Sequence, residues 1–106
     1  KTSASAGDLP QIETKLYTNF PNPFNPSTTI TFSIANKNFR NVELNIYNLK
    51  GQRVKKINAG MLTSGQHSFV WNGTDDNDKA VSSGVYFYRL VIDRNIIDTK
   101  RMLLLK

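Results

Sequence analysis

The chain has 106 residues, contains no cysteine and carries a formal net charge of +6 at pH 7. This length suits one domain with a real core, the lack of cysteine excludes disulfides and thiolate sites, and no apolar run approaches the roughly 20 residues that membrane insertion of a helix needs. We expect no nucleic-acid partner, because the basic residues are scattered among acidic ones outside one short cluster at Lys50, Arg53, Lys55 and Lys56.

The first part of the chain, residues 1–15, is rich in small and polar residues. Such a segment cannot bury enough apolar surface to offset the entropy lost on ordering. The chain also lacks an N-terminal Met, and its start has no apolar signal-peptide core. We therefore predict a flexible linker from a missing upstream domain, followed by one folded domain over residues 16–106 whose first strand covers residues 16–18.

A proline-rich segment, residues 20–26, follows, and we call it the collar. Each proline fixes its own φ, lacks an N–H donor and biases the preceding residue toward extended backbone, and the asparagines can bond to their own main chain. The prolines and asparagines of the collar are Pro21, Asn22, Pro23, Asn25 and Pro26. The pattern predicts a stiff boundary between linker and sheet, with Phe20 and Phe24 reaching into the core.

Short segments with alternating apolar residues fill the rest of the chain, and no window has sustained helical periodicity. The charged segment 52–57 is typical of a sheet edge, where lysines deter association between sheets. The predicted strands after the collar are 28–34, 42–47, 52–57, 66–71, 84–92 and 96–105, with turns at 36–38, 48–51 and 93–95 and connections at 61–65 and 72–83. Seven strands at this spacing predict an all-β fold, a seven-stranded antiparallel immunoglobulin-like β-sandwich.

Three residues have expected places in this sandwich. Trp71 is expected to fill the core between the sheets, and Tyr86 stands where a tyrosine-corner residue would stand. His67, the single histidine, shares its strand face with Phe69 and Trp71. No acid or nucleophile is patterned beside it, so we expect a half-buried structural histidine and no catalytic site.

The loop at Asp75, Asp76, Asn77 and Asp78 places oxygen ligands densely, as calcium sites do. It lacks the glycine and the closing glutamate of an EF-hand loop, and a solvated turn is the simpler interpretation. We therefore predict no metal and no cofactor, and keep this loop as a weak calcium candidate.

The last predicted strand is apolar on both of its faces, which is unusual for a strand with one solvated side. Two interpretations stay open. It is either a central strand covered on both faces, or a strand that offers one side or one edge to another protein.

Two motifs resemble the signatures of a known family. The string from Tyr17 to Ile30, with its Asn-Phe-Pro-Asn-Pro-Phe-Asn-Pro core, resembles the opening of type A C-terminal sorting domains of the type IX secretion system, and the basic-apolar-Lys ending at residues 100–106 resembles their terminal motif. Residues 42–54 resemble the strand, turn and Gly-Gln/Arg element of the same sorting-domain family. Residues 71–75 and 83–90 resemble the version of it that is shared with the immunoglobulin-like domain of flagellar hook-capping proteins. The position of Asp78 departs from this pattern, because relatives often have glycine there.

The resemblance implies a non-catalytic sorting signal at the C-terminus of a cargo protein exported by a Gram-negative bacterium. The implied partners are the type IX secretion machinery, a surface sortase that cleaves before the domain, and the upstream cargo in the same chain. The implied route runs through the periplasm to the cell surface or the medium. Recognition is expected at Pro21, Asn22, Pro23, Phe24, Asn25, Pro26, Lys100, Leu103, Leu104, Leu105 and Lys106.

The alternative is an immunoglobulin-like accessory module of a secreted hydrolase that binds carbohydrate. Such modules present exposed aromatic side chains on a flat face. The candidates for that role here are Phe39, Tyr47 and Phe87.

Overall fold

The computed structural model describes residues 13–35 and 38–106, and the described residues form seven strands and no helix. The strands are β1 (Lys15–Leu16), β2 (Thr28–Ile34), β3 (Arg40–Asn48), β4 (Arg53–Leu62), β5 (Gly65–Trp71), β6 (Gly84–Ile92) and β7 (Asn95–Leu104). No described segment is therefore a helix long and apolar enough to cross a membrane.

The strands form two antiparallel sheets. The smaller sheet has the order β1-β2-β5 and the larger one the order β4-β3-β6-β7. Inward positions of the two sheets meet in one core, which includes Ile30 and Phe32 of β2, Leu44 of β3 and Leu90 of β6, each with no exposed surface. This arrangement confirms the predicted immunoglobulin-like sandwich.

The residue roles predicted for the core are also confirmed. The Trp71 side chain is 1% exposed, and Tyr86 donates a hydrogen bond of 2.6 Å from its hydroxyl to the carbonyl oxygen of Ser82, as a tyrosine corner requires. His67 is half-buried, and its Nε2 lies 2.9 Å from the carbonyl oxygen of Thr63.

Two predicted boundaries were wrong. β4 runs on to Leu62 through Gly60, so residues 61 and 62 pair with β3 and do not belong to a connection. Gly60 has φ of 83° and lies where the β3–β4 register shifts, so it marks a bulge inside the strand. β1 begins at Lys15, inside the segment expected to be linker, and the Thr14 hydroxyl accepts a hydrogen bond from the Ala35 amide.

Other predictions concern residues outside the described ones. Residues 1–12 of the predicted linker and residues 36–37 of the predicted turn lie there.

The last strand is an edge strand, so its interpretation as a central strand covered on both faces was wrong. Among the described strands of the larger sheet, β7 has β6 as its single neighbour, and β4 forms the opposite edge, as its charge predicted. Met102 and Leu104 point into the core, whereas Leu103 is half-buried on the other face and Ile96 is 61% exposed.

Candidate functional site: the junction of the collar and the last strand

The collar pairs with the end of β7. The Phe24 amide donates to the carbonyl oxygen of Leu103 at 3.0 Å, and the Leu105 amide donates to the carbonyl oxygen of Phe24 at 2.9 Å. The side-chain oxygen of Asn22 accepts a third bond of 3.0 Å from the Leu103 amide. The two segments predicted to carry recognition are therefore one hydrogen-bonded unit, with Phe24 and Leu104 as parallel bridge partners.

An aromatic cluster fixes this unit to the core. The Phe24 ring is 2% exposed and its centroid lies 5.7 Å from that of Trp71, which in turn lies 5.3 Å from the Tyr86 ring. The indole N–H of Trp71 donates a 2.8 Å bond to the carbonyl oxygen of Thr74. Aromatic pairs at such distances stabilise beyond their buried area, so the tryptophan ring is a rigid support for the collar.

Gly73 lets the loop after β5 approach the junction closely. Its φ is 73°, and a Cβ atom there would lie 3.1 Å from the Pro26 carbonyl oxygen and 3.6 Å from a methyl carbon of Leu104. Both the positive φ and the tight approach to the Pro26 carbonyl therefore favour glycine at this position. Within the Trp-Asn-Gly string, Trp71 thus packs beneath the junction and Gly73 forms the turn that follows.

A buried polar network anchors the base of the collar, and the sequence analysis did not identify it. The Tyr88 hydroxyl accepts a 2.9 Å bond from the Asn19 amide and donates a 2.8 Å bond to the carbonyl oxygen of Tyr17. The Asn19 side-chain amide donates to Thr28 Oγ1 at 2.9 Å, and Thr28 donates to the Pro21 carbonyl oxygen at 2.8 Å. The sequence does contain one signal for this network. Thr28 of β2, in the smaller sheet, is polar but has the same parity as the buried apolar residues of that strand.

The predicted recognition residues divide into four groups. Phe24 and Leu104 are buried and act as anchors. Lys100 lies four residues before Leu104, about 13 Å along the strand, and its Nζ lies 3.8 Å from a carboxylate oxygen of Asp98, so the structure does not bring it to the junction. Leu103 is half-buried, and the exposed members are Pro21, Asn22, Pro23, Asn25, Pro26, Leu105 and Lys106.

The expectation that both collar phenylalanines reach the core was wrong for Phe20. Its main chain pairs with Thr29 in both directions, at 3.0 and 2.8 Å, and its side chain is 79% exposed. The peptide bonds before Pro21, Pro23 and Pro26 are all cis. Because its side chain is 79% exposed, Phe20 adds an exposed aromatic ring to the collar instead of a second anchor.

An open depression of about 310 Å³ adjoins the junction on the outer face of the larger sheet. It is lined by Asn22, Pro23, Val85, Arg101, Met102 and Leu103. The collar and the last strand thus form its two walls.

The acidic loop uses its carboxylates internally. Asp75 Oδ1 accepts the amides of Asn77 and Lys79 at 2.8 and 3.0 Å, and Asp76 Oδ1 accepts the amide of Lys56 at 2.9 Å. The amides of Lys79 and Asn77 hold the pKa of the Asp75 carboxyl below its usual value. Within residues 13–35 and 38–106 no group of three or more acidic or histidine side chains is arranged to hold a metal ion.

The backbone conformation at Asp78 accounts for the glycine that the family resembled by this sequence often has at this position. Asp78 has φ of 61°, in the left-handed region that glycine adopts without steric cost. Its carboxylate lies 3.8 Å from the Nζ atom of Lys55, on the neighbouring edge strand.

The three aromatic candidates for carbohydrate binding are not together. Tyr47 and Phe87 are register partners on the outer face of the larger sheet and are half-buried. Phe39 is 64% exposed but precedes β3, eight residues or about 26 Å from Tyr47.

Comparisons with known proteins identify a family match and structures of similar fold. The family model of the FlgD Ig-like domain matches residues 22–94, more than half of the chain, and stops before β7. The structure of FlgD from P. aeruginosa is 26% identical with a TM-score of 0.57, over 73% of this chain and 60% of that one. A comparison with curated proteins gave no match.

Two larger proteins of Porphyromonas gingivalis contain the same fold. Dimeric latent PorU is 20% identical with a TM-score of 0.76, over 92% of this chain and 10% of that one. PorZ, an essential surface component of the type-IX secretion system, is 18% identical with a TM-score of 0.58, over 86% of this chain and 11% of that one. The chain thus spans about a tenth of the length of either protein. The match to the family model shows that this chain belongs to the FlgD Ig-like domain family.

Proposed function

We propose that this domain is a non-catalytic C-terminal sorting signal that directs a secreted cargo through the type IX secretion system across the outer membrane. The observation that carries the proposal is the pairing of the collar with the end of β7, through Phe24, Leu103 and Leu105. These segments resemble the opening and closing signatures of sorting domains, and they lie far apart in the sequence. Their pairing makes them a single surface for a partner.

The exposed side chains of the junction define the proposed contact. Phe20 is 79% exposed on the collar and Leu105 is 49% exposed directly after β7, while Phe24 and Leu104 hold the backbone in place from within. Large apolar side chains in water beside a buried anchor are typical of a recognition surface. The family model matches residues 22–94, so Phe20 and Leu105 both lie outside the part of the chain that matches this model.

The proposed context is export by a Gram-negative bacterium, with the domain in the periplasm in transit and then at the surface or in the medium. PorZ, which shares the fold, is a component of the same secretion system, and this supports the context. The proposed partners are the secretion machinery, a surface sortase that cleaves before the domain, and the cargo upstream in the chain. His67 bonds to the Thr63 carbonyl, which suits a structural role and not catalysis.

A fusion experiment tests the proposal. The 106 residues are attached to the C-terminus of a fluorescent protein that carries an N-terminal signal peptide, in a host with an active type IX system. We expect fluorescence at the surface or in the medium, and retention in the periplasm in an isogenic strain that lacks the system. Periplasmic retention in both strains would overturn the sorting function.

A truncation at the C-terminus cannot serve as the site-specific test. Leu104 has no exposed surface, and the amides of Leu103 and Leu105 bond to the collar. Removal of residues 103–106 would delete this core side chain, at a cost of about 2–5 kcal/mol, so exposed positions have to be substituted instead.

A further inference from the structure

The outer face of the larger sheet carries a straight row of arginines and aromatic rings. Tyr47 of β3 is the register partner of Arg53 in β4 and of Phe87 in β6, and Phe87 is the partner of Arg101 in β7. Residues directly opposite each other in antiparallel strands share one face. The row therefore crosses all four strands, with an arginine at each end and two rings between them, and the end Cα atoms are about 14 Å apart.

The cations of this face have few acidic neighbours. Arg89 lies beside the row, with its guanidinium carbon 4.9 Å from the Tyr47 ring centroid and its Nε donating to Thr99 Oγ1 at 3.1 Å. None of Arg53, Arg89 and Arg101 has a carboxylate oxygen within 4.0 Å among the described residues. Glu43, on the same face, is engaged instead with Lys56 at 3.9 Å.

A buried amide on this face has an unused acceptor. Asn45 is the register partner of Lys56 and of Arg89, and it is 6% exposed. Its Oδ1 atom has no hydrogen-bond donor among the residues that the structure describes. Buried acceptors usually find a donor, and a ligand hydroxyl that enters between the two cations would supply one.

One depression lies along the two rings of the row, and a second adjoins its Arg101 end. One of about 250 Å³ is lined by Tyr47, Asn48, Leu49, Phe87, Arg89 and Thr99. The other, of about 310 Å³, adjoins Arg101 and the collar. A linear ligand can therefore lie across the face and extend beyond the row at its Arg101 end.

We propose that this face binds an acidic oligosaccharide, with carboxylates of the sugar at Arg53 and Arg101 and sugar rings over Phe87. Arginine forms paired hydrogen bonds with carboxylates, and the apolar face of a sugar ring packs on an aromatic ring. The hydroxyls of a sugar match the unused acceptor of Asn45. This proposal does not rest on the sorting function, because it concerns the sheet face and not the junction contacts.

A protein partner fits this face less well. An extended peptide gains affinity from main-chain pairing at a sheet edge, whereas the main chain of β3 and β6 is already paired on both sides. A globular partner needs about 800 Å² on each side with an apolar centre, and the centre of this face holds Arg89. A nucleic-acid strand needs free ring faces for stacking, and the guanidinium of Arg89 lies over Tyr47.

Titration calorimetry and amide NMR mapping test the proposal with four probes of similar length. These are tetragalacturonate, neutral maltotetraose, a tetra-aspartate peptide and tetrathymidylate. We expect tetragalacturonate to bind at least about tenfold more tightly than the other three, a difference of about 1.4 kcal/mol, and to shift the amides around Tyr47, Phe87 and Arg101. Absence of tetragalacturonate binding at millimolar concentration, or equal binding of any other probe, would overturn it.

Two charge-matched double variants separate this face from general electrostatics. Arg53→Gln with Arg101→Gln should weaken tetragalacturonate binding at least about tenfold. Lys79→Gln with Arg94→Gln removes the same charge from exposed positions outside the face, and should change the affinity by less than about twofold. Circular dichroism melting establishes that both variants fold. Equal weakening by the two variants would refute a specific site.

Discussion

At the scale of single residues, the conformation of the junction depends more on buried hydrogen-bonding groups than on its exposed side chains. The Tyr88 hydroxyl is the central group, because it bonds to main-chain atoms of both Tyr17 and Asn19. Burial raises the pKa of the Tyr88 phenol above its ordinary value, so the hydroxyl stays protonated and can donate across the physiological range. Asn19 is 2% exposed, and its side-chain amide donates to the Thr28 hydroxyl, which in turn donates to the Pro21 carbonyl of the collar.

Tyr88→Phe should lower the free energy of unfolding by about 1–3 kcal/mol, because it leaves the Asn19 amide without its acceptor. Urea unfolding measures the change. Tyr17→Phe is the matched control, since its hydroxyl makes one 3.3 Å contact with Ser33 Oγ, and it should cost less than about 1 kcal/mol. Equal costs for the two variants would contradict the central place of Tyr88.

At the scale of elements, alternation of side chains predicted what each strand buries but not where each strand lies. The parity of Tyr86, Tyr88, Leu90 and Ile92 in β6 was confirmed, because period-2 burial is a local property. The charge of β4 predicted its edge position, whereas the edge position of β7 depends on long-range pairing that its own residues did not indicate. Its apolar outer side chains were therefore open to two interpretations.

Two local signals were misleading for physical reasons. The strand predicted over residues 52–57 is too short, because a positive φ at Gly60 forms a bulge through which β4 continues to Leu62. Phe20 reads as core by its hydrophobicity, but its main chain is paired with Thr29 and its ring faces water. The resemblance identified both halves of the junction, whereas the polar network at Asn19 required the three-dimensional structure.

The acidic loop between β5 and β6 gives a prediction at the same scale. The folded-state pKa of Asp75 is lowered from its ordinary 3.8, so its contribution to stability is present above that value and is lost as the pH falls through the folded-state pKa. Asp75→Asn should therefore melt at a lower temperature than wild type at pH 7, and the difference should shrink as the pH falls below 3.8. Thermal melts at several pH values measure it.

Two outcomes of these melts would contradict this account of the loop. A difference between the two proteins that does not change with pH would show that the charge of Asp75 contributes nothing. A rise in the melting temperature of wild type with millimolar calcium, absent in Asp75→Asn, would show that the loop binds a cation instead of capping its own turn.

At the scale of the whole molecule, the sandwich is a frame that brings the collar and the end of the chain together. Phe24 and Leu104 enter the core from the two segments, and Gly73 closes against Pro26 and Leu104 from a third. The outer face with its arginine row adjoins this junction through Arg101. The fold thus leaves two separate surfaces, one proposed for the secretion machinery and one for an acidic glycan.

The most direct test of the junction as the recognition surface is the exported fraction of the fluorescent fusion with one exposed leucine changed. Leu105→Ser alters a side chain at the junction that is 49% exposed, and Ile96→Ser alters one at the far end of β7 that is 61% exposed. Both should fold, as melting of the purified domains checks. We predict that export falls several-fold for Leu105→Ser and stays at the wild-type level for Ile96→Ser; normal export of a folded Leu105→Ser fusion would contradict the account.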